Sequence, residues 1–484
     1  MDGEKNQSSL EREDVTVVNS GRARQSIVAT ALGNAMEWFD FGIYSYLAVT
    51  IGKVFFSEMN GSLQLVYSFA VFAISFLVRP VGGLVFGMLG DRIGRKKILT
   101  ITIIMMALST LSIGFIPGYQ TIGITAPLLL LLARLVQGFS TGGEYSGAMT
   151  YIAESTPDKK RTRLSSGLEV GTLIGYIFGS GIVTLLTFLI GNHTMTAWGW
   201  RIPFFVAAPI GLIGLYLRTN LKESPAYETM DEEIDKDKRV SMKDILIHHR
   251  KPLWTGLILV FFYNVVDYTV LTYMPSHLNA VLGYGDTKSL LFILVVMVIM
   301  IPIIILMGYF GDRLGSKRIV QGGLIGLVLL SVPAFLLIGS GVGWMVFLGL
   351  MILAVCLASF QGTMPSLLPS LFFTDVRYGA LSITYNVSTS LFGGTAPLVI
   401  SYLIHQTGSH YIPAYYLIFA SLIGVIVVTL LVRDPSGKPL RGSPPAVEEE
   451  REIDGVLEDT GKDLWWAEEK NQIDQSLADS LQKE

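Results

Sequence analysis

Two carboxylates lie inside an apolar stretch that is long enough to cross a lipid bilayer. They are Glu37 and Asp40, and the stretch runs from about residue 27 to residue 51. On a helix, at about 100° per residue, both carboxylates fall on one face. Three further side chains share that face: Asn34, Phe41 and Tyr44. An ionisable group at membrane depth costs about 2.5–3.5 kcal/mol on insertion scales, so we interpret this face as the lining of a water-filled path. The alternative is that the carboxylates pair with a neighbouring helix and serve packing alone.

The fourth apolar stretch, at about residues 124–152, repeats this arrangement. Its polar residues share one helical face: Arg134, Gln137, Thr141, Glu144 and Tyr145. An arginine at membrane depth needs a counter-charge, and Glu144, Glu37 and Asp40 are the candidates for Arg134. A carboxylate stays ionised beside a cation and favours its protonated form when it is desolvated alone. A change of pairing between two conformations would therefore move a proton, and a static structural ion pair is the equal alternative.

Other apolar stretches contribute further polar candidates. Glu169, in the fifth stretch, is interpreted as a site for a substrate ammonium group or a proton. In the seventh, Asn264, Asp267 and Tyr268 share a face by their i, i+3 and i+4 spacing, and Asp267 is a further candidate for proton coupling. The eleventh stretch adds two candidates for a substrate site: Tyr385 and Asn386. Helix packing is the alternative role for each aromatic or amide side chain.

Arg79, in the second apolar stretch, has two interpretations. Its side chain either extends to the membrane interface or faces the same cavity. Pro80 disfavours helical geometry at the residue before it, so the sequence predicts a local bend at this point.

Composition places the chain in a membrane. Of 484 residues, 51% are hydrophobic and 15% are charged, whereas soluble domains carry roughly 25% charged residues. The net charge of −3 indicates no nucleic-acid partner. The single cysteine, Cys356, excludes an intramolecular disulfide and argues against a thiolate metal site. We expect neither a metal nor another cofactor, and the polar first 20 residues indicate no cleavable signal peptide.

Twelve membrane spans are predicted from length and hydropathy. Their approximate bounds are 25–51, 65–89, 97–117, 124–152, 164–190, 201–219, 252–281, 289–310, 318–338, 342–370, 377–405 and 411–432. Lysine and arginine cluster in the loops of one side, which the positive-inside rule makes cytoplasmic. With an even number of spans, both termini are expected on that side. The basic loops also predict contact with anionic lipid at the cytoplasmic face.

The fold class that follows is an all-α membrane protein made of two six-helix bundles. The predicted domains are a cytoplasmic tail (1–24), a first bundle (25–219), a charged cytoplasmic loop (220–251), a second bundle (252–433) and a cytoplasmic tail (434–484). In the last tail, leucine and isoleucine form two helical patches that do not sustain a heptad register. We therefore expect a solvated tail with a short amphipathic helix near Trp465 rather than a coiled coil.

One short motif occurs at matched places in the two halves. The first copy follows the second span and contains Gly87, Asp91, Arg92, Gly94 and Arg95. The second copy follows the eighth span and contains Gly308, Asp312, Arg313 and Gly315. The glycines let one helix end approach another, and the aspartates can cap or pair with a neighbouring helix end. Such a repeat indicates a duplicated bundle.

The paired motif resembles the signature of the major facilitator superfamily. Two other runs are similar to motifs of the same superfamily: Arg134-Leu-Val-Gln137-Gly138 in the fourth span, and Arg218 with Lys222-Glu223-Ser224-Pro225 after the sixth. Within the superfamily, five runs resemble the metabolite:proton symporters: GNAMEWFDFGIY (33–44), FLVRPVGG (76–83), GFSTGGEYSGA (138–148), WGWRIPFF (198–205) and LTYMPSHL (271–278).

This resemblance implies a secondary transporter in a bacterial cell membrane that works by alternating access, with the paired motif in conformational gating. The osmolyte-importing members of the family are the most similar. They imply uptake of proline, glycine betaine and related zwitterionic solutes with inward proton flow, increased by hyperosmotic stress. The expected partners are thus a small zwitterionic solute and a proton.

A zwitterionic solute suits the polar faces described above. Five aromatic side chains offer cation–π contact to a quaternary ammonium group: Trp38, Phe41, Tyr44, Tyr145 and Tyr268. Arg134 or Asn34 would meet the carboxylate of the solute, and Asp40 or Glu37 would carry the proton.

Three alternatives remain at this point. The cargo of a proton symporter with this fold can instead be a dicarboxylate such as α-ketoglutarate or a shikimate-like acid, which would require more cationic side chains than Arg79 and Arg134 offer. The chain can also be a membrane sensor that transports nothing. A membrane-embedded enzyme is not expected, because the sequence shows no nucleophile with a base and no cluster of metal ligands.

Overall fold

The computed structural model describes residue 12 and residues 15–18, 20–93, 95–142, 144–220 and 249–460, and these residues are mainly helical. Most of the predicted loop 220–251, with its motif residues Glu223 and Pro225, lies outside the described residues. The helix expected near Trp465 lies outside them as well.

The first half of the chain forms eleven α-helices within the described residues. They are α1 (Ser20–Tyr46), α2 (Ala48–Phe55), α3 (Gly61–Leu77), α4 (Arg79–Ile93), α5 (Arg95–Phe115), α6 (Tyr119–Ile122), α7 (Thr125–Ser140), α8 (Glu144–Glu154), α9 (Arg161–Ser165), α10 (Gly167–Thr194) and α11 (Arg201–Asn220). A 3-10 turn, Asp158–Lys160, precedes α9, and a π-helical turn, Met195–Gly199, follows α10.

The second half adds ten α-helices within the described residues. They are α12 (Arg250–Asp267), α13 (Met274–Ser276), α14 (Asp286–Leu314), α15 (Ser316–Ile338), α16 (Gly343–Gln361), α17 (Met364–Leu367), α18 (Thr374–Ser388), α19 (Ala396–Thr407), α20 (Ile412–Leu431) and α21 (Ile453–Thr460). Segments of π-helix, Tyr268–Tyr273 and His277–Val281, flank α13, and another, Thr389–Gly393, joins α18 to α19. Two 3-10 turns, Pro369–Leu371 and Glu450–Glu452, precede α18 and α21.

Two short strands join the beginning of the described chain to its end. Strand β1 (Thr16–Val17) pairs in parallel with β2 (Ala446–Val447), with Thr16 opposite Ala446. The strands connect a segment before the first membrane helix with a segment after the last one.

Eight helical segments in the described part of the chain are long and apolar enough to cross a membrane. Large apolar side chains also cover the outside of the bundle: Leu132 is 58% exposed, Phe188 74% and Leu430 74%. Lipid tails are the medium that such a surface requires. Each predicted span overlaps a helix, while the number of twelve spans and the cytoplasmic position of both termini stay predictions.

The helix is interrupted beside Pro80, where the sequence predicts a bend, although Val78 keeps right-handed helical dihedrals and the bend itself stays a prediction. Helix α3 ends at Leu77 and α4 begins at Arg79, with Val78 between them. The interruption lies next to the charged side chain that the second span carries, so the proline helps to set the direction of Arg79.

Helices of each half pack mainly on one another. In the first half α1 packs along α10, and α5 packs on α7 and α11; in the second, α15 packs on α16 and α20, and α12 on α18 and α20. The halves meet where α10 contacts α14, α3 contacts α19 and α8 contacts α18. The domain boundary within residues 220–251 stays a prediction, because that loop lies outside the described residues.

Two glycines of α10 permit its close crossing with α1. A Cβ atom at Gly171 would overlap the carbonyl oxygen of Ala31, and one at Gly175 would overlap that of Ala35. Small residues at this spacing let two membrane helices approach until their backbones touch. The crossing fixes the distance between the polar face of α1 and the residues of α10.

We expect Gly175→Leu to lower the thermal midpoint of the purified protein, because overpacking of a tight contact costs about 1–3 kcal/mol or more. Gly181→Leu is the matched control on the same helix, since nothing lies within 4 Å of a Cβ placed there. The two midpoints are to be compared by thermal unfolding in detergent. Equal midpoints for the two variants would show that the crossing is not tight.

Candidate functional site

Asn34 fixes α1 against α10. Its side-chain nitrogen donates hydrogen bonds to the Leu168 carbonyl (3.2 Å) and the Thr172 hydroxyl (2.6 Å), and its oxygen accepts one from the Trp38 indole (3.1 Å). Both ends of the amide are therefore used by the protein itself. Asn34 orients Trp38, and its contact with a substrate carboxylate stays a prediction.

Glu37 forms a buried ion pair with Arg79. Arg79 Nη2 lies 2.8 Å from Glu37 Oε1, and the two side chains are only 1% and 3% exposed. The guanidinium also lies over the rings of Phe41 and Phe76, 5.5 and 5.3 Å from their centroids. Of the two interpretations of Arg79, the one that directs it into the interior is therefore correct.

Two nitrogen atoms of Arg79 have no protein partner. Nε and Nη1 are buried and make no hydrogen bond within the described residues, while Nη2 donates to Glu37 and to the Thr141 carbonyl (3.4 Å). Buried donors of a guanidinium are rarely left unused unless a ligand or water accepts from them. Arg79 was not among the residues predicted for the site, although a charge at membrane depth beside Pro80 is the sequence signal for it.

Arg134 is held without a direct ion pair. Its Nη1 donates to the side-chain oxygen of Gln137 and its Nη2 to the Ser75 hydroxyl (3.0 Å). The guanidinium lies 4.3 Å from the centroid of the Tyr44 ring, and the rings of Phe41 and Phe72 lie 5.4 and 5.3 Å away. None of the three candidate carboxylates, Glu37, Asp40 and Glu144, forms a direct ion pair with Arg134 within the described residues, and Asp40 is the one that still interacts with it electrostatically.

Asp40 is connected to Arg134 through two neutral side chains. Gln137, which binds Arg134, donates to the Thr110 hydroxyl (2.9 Å), and that hydroxyl lies 3.0 Å from Asp40 Oδ2 and 2.9 Å from the Met106 carbonyl. The single hydroxyl proton of Thr110 can serve only one of these two acceptors at a time. A proton on Asp40 would therefore change the hydrogen bonding along the whole chain of groups.

Two further carboxyls are buried where the halves meet. Glu169 accepts a hydrogen bond from the Tyr145 hydroxyl, and Asp267 accepts one from Gln361 (2.9 Å). They are 0% and 4% exposed, and neither forms an ion pair within the described part of the chain. Each can therefore carry a proton or face a substrate cation.

Trp38 is the centre of an aromatic cluster that joins the two halves. Three tyrosine rings lie 5.4–6.3 Å from it: Tyr145, Tyr176 and Tyr268. Tyr268 also contacts Phe76 (5.4 Å), over which Arg79 lies. Because Tyr145 binds Glu169, a continuous series of contacts connects Arg79 with Glu169. Both charged residues belong to the first half, and the series passes through Tyr268 of the second half.

Unused polar atoms lie along this cluster. The Tyr268 hydroxyl, Glu169 Oε2 and Gln361 Oε1 are buried and have no hydrogen-bond partner within the described residues. Tyr268 also begins a π-helical segment, and such segments are frequent at functional sites. The unused atoms are thus the places where a ligand or water would bind.

The structure brings some of the predicted residues into the cluster and leaves others apart. Tyr385 stacks on Tyr145, with ring centroids 4.5 Å apart. Asn264 donates to Thr389 (3.0 Å). Tyr44 donates to the Ser68 carbonyl (3.0 Å) and reaches the cluster through Phe72, which contacts Tyr268. For two predicted residues the hydrogen bonds lie outside the cluster: Glu144, which accepts from Thr102 (3.4 Å), and Asn386, which donates to the Ser382 carbonyl (3.0 Å). Sequence reasoning missed three residues of the network, which are Phe76, Thr110 and Tyr176, because they look like ordinary packing residues in an apolar span. Arg79 was considered as a side chain facing the cavity but was not assigned to the site.

The second copy of the repeated motif connects the two halves. The carboxylate of Asp312 accepts hydrogen bonds from the backbone N–H groups of Thr162 (2.8 Å) and Arg163 (3.0 Å), at the N-terminal end of α9. A Cβ at Gly308 would lie 3.0 Å from Arg163 Cα, which explains the glycine. Arg313 lies 4.5 Å from the Tyr309 ring, and Gly315 has a φ of 100°. In the first copy, Gly94 lies outside the described residues, and the surroundings of the other four residues are not described: Gly87, Asp91, Arg92 and Arg95. The gating role of both copies stays a prediction.

A family model described as Major Facilitator Superfamily matches residues 30–391 of the chain. A putative proline/betaine transporter of Staphylococcus haemolyticus is 47% identical over 462 residues, which cover 95% of this chain and 98% of that protein. A glycine betaine/proline/ectoine/pipecolic acid transporter of Dickeya dadantii is 45% identical, with coverage of 92% and 90%. A proline/betaine transporter of Salmonella typhimurium is 43% identical, with coverage of 96% and 94%.

Solved structures with a similar fold include the major facilitator superfamily proton:xylose symporter XylE bound to 6-bromo-6-deoxy-D-glucose. It superposes with a TM-score of 0.71 over 91% of this chain and 100% of that one, at 18% sequence identity. A partially occluded inward-open conformation of the xylose transporter from E. coli gives a TM-score of 0.68 at 18% identity, with coverage of 87% and 100%. At this identity the likeness concerns the fold alone.

Proposed function

Because this chain belongs to the major facilitator superfamily, we propose that it is a secondary transporter that imports zwitterionic solutes of the proline and glycine betaine type together with protons. Relatives named for proline and betaine transport are 43–47% identical along nearly the whole chain. The predictions of a major facilitator fold, of a multi-pass protein of a bacterial cell membrane and of a transporter rather than an enzyme are confirmed.

The arrangement of charged and aromatic side chains is the observation that favours a zwitterionic solute. A buried cation, Arg79, and a buried carboxyl, Glu169, are connected by a series of contacts through an aromatic cluster. A zwitterion such as glycine betaine has the complementary order of a carboxylate, a short apolar body and an ammonium group. The side chains that could meet each part are therefore present in one connected set of residues.

Arg79 is the group that we assign to the carboxylate of the solute. Both Nε and Nη1 still have hydrogen atoms to donate, and Glu37 holds Nη2 in place. Arg134, the arginine favoured by the sequence, has only Nε without a partner and is enclosed by three aromatic rings. Charge-assisted hydrogen bonds to a carboxylate are about twice as strong as neutral ones, so the arginine with more free donors is the better candidate.

Four side chains, named here the aromatic box, are assigned to the ammonium group: Trp38, Tyr145, Tyr268 and Tyr385. A quaternary ammonium has no N–H to donate, so the faces of aromatic rings are its natural partners. Glu169 is hydrogen-bonded to Tyr145 of the box and, in its ionised form, would supply negative charge to the ammonium group. Tyr385 joins the box through Tyr145, on which its ring stacks at a centroid distance of 4.5 Å.

Asp40 is the carboxyl that we assign to proton coupling. Its hydrogen-bonded chain through Thr110 and Gln137 reaches Arg134, so protonation and the position of a buried cation are connected. Glu169 and Asp267 are the other candidates that the proposal retains. Increased transport at high osmolality and contact with anionic lipid at the cytoplasmic face also remain proposals.

A dicarboxylate cargo is the second candidate for the same fold. It would need at least two cationic groups facing the solute, whereas Arg79 is paired with Glu37 and Arg134 is enclosed by rings. The charge balance of the site therefore favours a zwitterion over a dianion.

Uptake of radiolabelled glycine betaine and proline into proteoliposomes tests this function. An inward proton gradient of one pH unit is worth 1.36 kcal/mol, so one proton per solute supports about tenfold accumulation. We expect accumulation of that order, which disappears without the gradient and increases with external osmolality. Gradient-driven uptake of α-ketoglutarate without a betaine signal would replace the solute class. If no solute accumulates, a membrane sensor that does not transport becomes the leading alternative.

A further inference from the structure

The segment after the last membrane helix runs back across the ends of both halves. We name residues 434–457 the strap. Its apolar side chains are not free in solvent, since Leu440 is 2% exposed and Val447 4%. The segment that the sequence predicted as a solvated tail is thus packed on the protein within its described part.

The strap is bonded to the second half at two places. The Ser316 backbone N–H donates to the Ser436 hydroxyl (2.9 Å). The carbonyl of Arg441 accepts from the backbone N–H of Thr374 (3.1 Å) and from Arg377 Nη2 (2.6 Å). Since the strap also continues directly from α20, it moves with the second half.

The strap is bonded to the first half through the loop before α9. The Ala446 backbone N–H donates to Asp158 Oδ2 (3.0 Å), and Arg161 Nη1 donates to the Lys438 carbonyl (2.8 Å). Lys160 and Glu448 form an ion pair in the same place. These bonds involve charged side chains on the first half and backbone groups or a carboxylate on the strap.

A strand from the beginning of the described chain holds the strap from the other side. The Thr16 N–H donates to the Pro445 carbonyl (2.9 Å) and the Val18 N–H to the Val447 carbonyl (2.8 Å). Val15, Val447 and Ile453 form a small apolar core that is 4–8% exposed. The strap is therefore fixed by a core of its own in addition to its hydrogen bonds.

The strap spans the same side of the molecule as the direct contacts between the halves. There Asp312 binds the end of α9, and Arg377 pairs with Glu154. Alternating access requires the halves to separate on this side in one of their two states. Because the strap continues from α20, we take it to travel with the second half. Separation then breaks its bonds to Asp158, Lys160 and Arg161 and also pulls on its pairing with β1, which leads into α1 of the first half.

We propose that the strap is a clasp that engages the first half only when this side of the transporter is closed, and so sets how often the side opens. The proposal goes beyond the transported solute, because it concerns the balance between two conformations. Weakening the clasp should raise the fraction of open molecules without changing the residues that bind solute.

Two strap variants test the clasp in the full-length chain. Ala446→Pro removes the N–H that binds Asp158, and Val447→Asp places a charge in the small apolar core. The reporter is Ser366→Cys in a Cys356→Ala background, labelled with a water-soluble maleimide. Ser366 is 3% exposed, and its hydroxyl contacts Thr162 of the first half (3.1 Å), so it becomes reachable when the halves separate.

We expect the labelling rate of Ser366→Cys to increase about tenfold in Ala446→Pro, which corresponds to the loss of one charge-assisted hydrogen bond. Val447→Asp should raise the rate at least as much, because it puts a charge into the apolar core that holds the strap. Glu450→Ala, an exposed strap residue, is the matched control and should leave the rate unchanged. Unchanged labelling in both strap variants would overturn the clasp. A second control uses strap variants that keep native Cys356 and lack Ser366→Cys. Cys356 is 7% exposed, so its labelling reports general unfolding. An equal rise in the labelling rate of Cys356 would also overturn the clasp. The labelling experiment requires no solute, so its result tests the clasp independently of the proposed transport function.

Discussion

We expect uptake of glycine betaine to fall at least about 100-fold when Arg79, the proposed partner of the solute carboxylate, is replaced by glutamine. The substrate carboxylate then loses its charged partner, and Glu37 stays buried without the cation 2.8 Å away. Removal of one partner from a buried charge pair costs about 2–5 kcal/mol or more, and 100-fold lies inside that range. Initial uptake rates in proteoliposomes at a fixed proton gradient measure the loss.

A double variant separates binding from folding. Arg79→Gln combined with Glu37→Gln removes both charges, so the unpaired carboxylate disappears and thermal stability should return while uptake stays low. Arg201→Gln is the matched control: this arginine contacts the Ile116 carbonyl (3.3 Å) and the Trp200 ring (4.4 Å), away from the aromatic cluster, and uptake should change less than about twofold. If the double variant regains uptake together with stability, Arg79 is a structural residue and does not bind the solute.

The polar face of α1 could be predicted because it depends on one helix only. The angle per residue is fixed, so Glu37, Asp40 and Phe41 had to point the same way, and all three are buried in the interior. The partner of Glu37 could not be predicted in this way. It depends on the depth and rotation of α4 relative to α1, which packing and the interruption at Val78 decide.

Arg134 shows a second limit of sequence reasoning. The expectation of a carboxylate partner came from the cost of a charge at membrane depth. In the structure, aromatic faces and neutral dipoles supply that stabilisation: the Tyr44 ring lies 4.3 Å away, and Gln137 and Ser75 accept its hydrogen bonds. Aromatic residues in an apolar span carry no signal that separates this role from ordinary packing.

The strap was missed for a different reason. It is attached mainly through backbone groups, such as the carbonyls of Lys438 and Arg441 and the N–H of Ala446. Every residue type except proline has both groups, so backbone hydrogen bonds of this kind cannot be predicted from residue types. The prediction of a solvated tail rested on the lack of a sustained heptad register, and it is wrong for the part of the tail that the structure describes.

Asp40→Asn should abolish proton-driven accumulation while it preserves exchange of solute across the membrane. Asparagine has the shape of a protonated aspartate, and its side-chain oxygen can still accept from Thr110. The variant therefore resembles a carrier that is permanently protonated at this position. We expect the tenfold accumulation under a gradient of one pH unit to fall to no accumulation, whereas counterflow of labelled against unlabelled betaine should keep a rate within about threefold of the unaltered protein.

The comparison of counterflow with accumulation identifies the proton carrier among the buried carboxyls. Glu169→Gln should impair both accumulation and counterflow. Glu169 is hydrogen-bonded to Tyr145 of the aromatic box, so loss of its negative charge would weaken binding of the solute ammonium group. Glu58→Gln, at an exposed carboxylate that accepts from Tyr119 (3.0 Å), is the control and should alter neither. If Asp40→Asn still accumulates betaine, the proton travels on another carboxyl, and Asp267, bonded to Gln361 and free of any ion pair in the described residues, becomes the group to neutralise next.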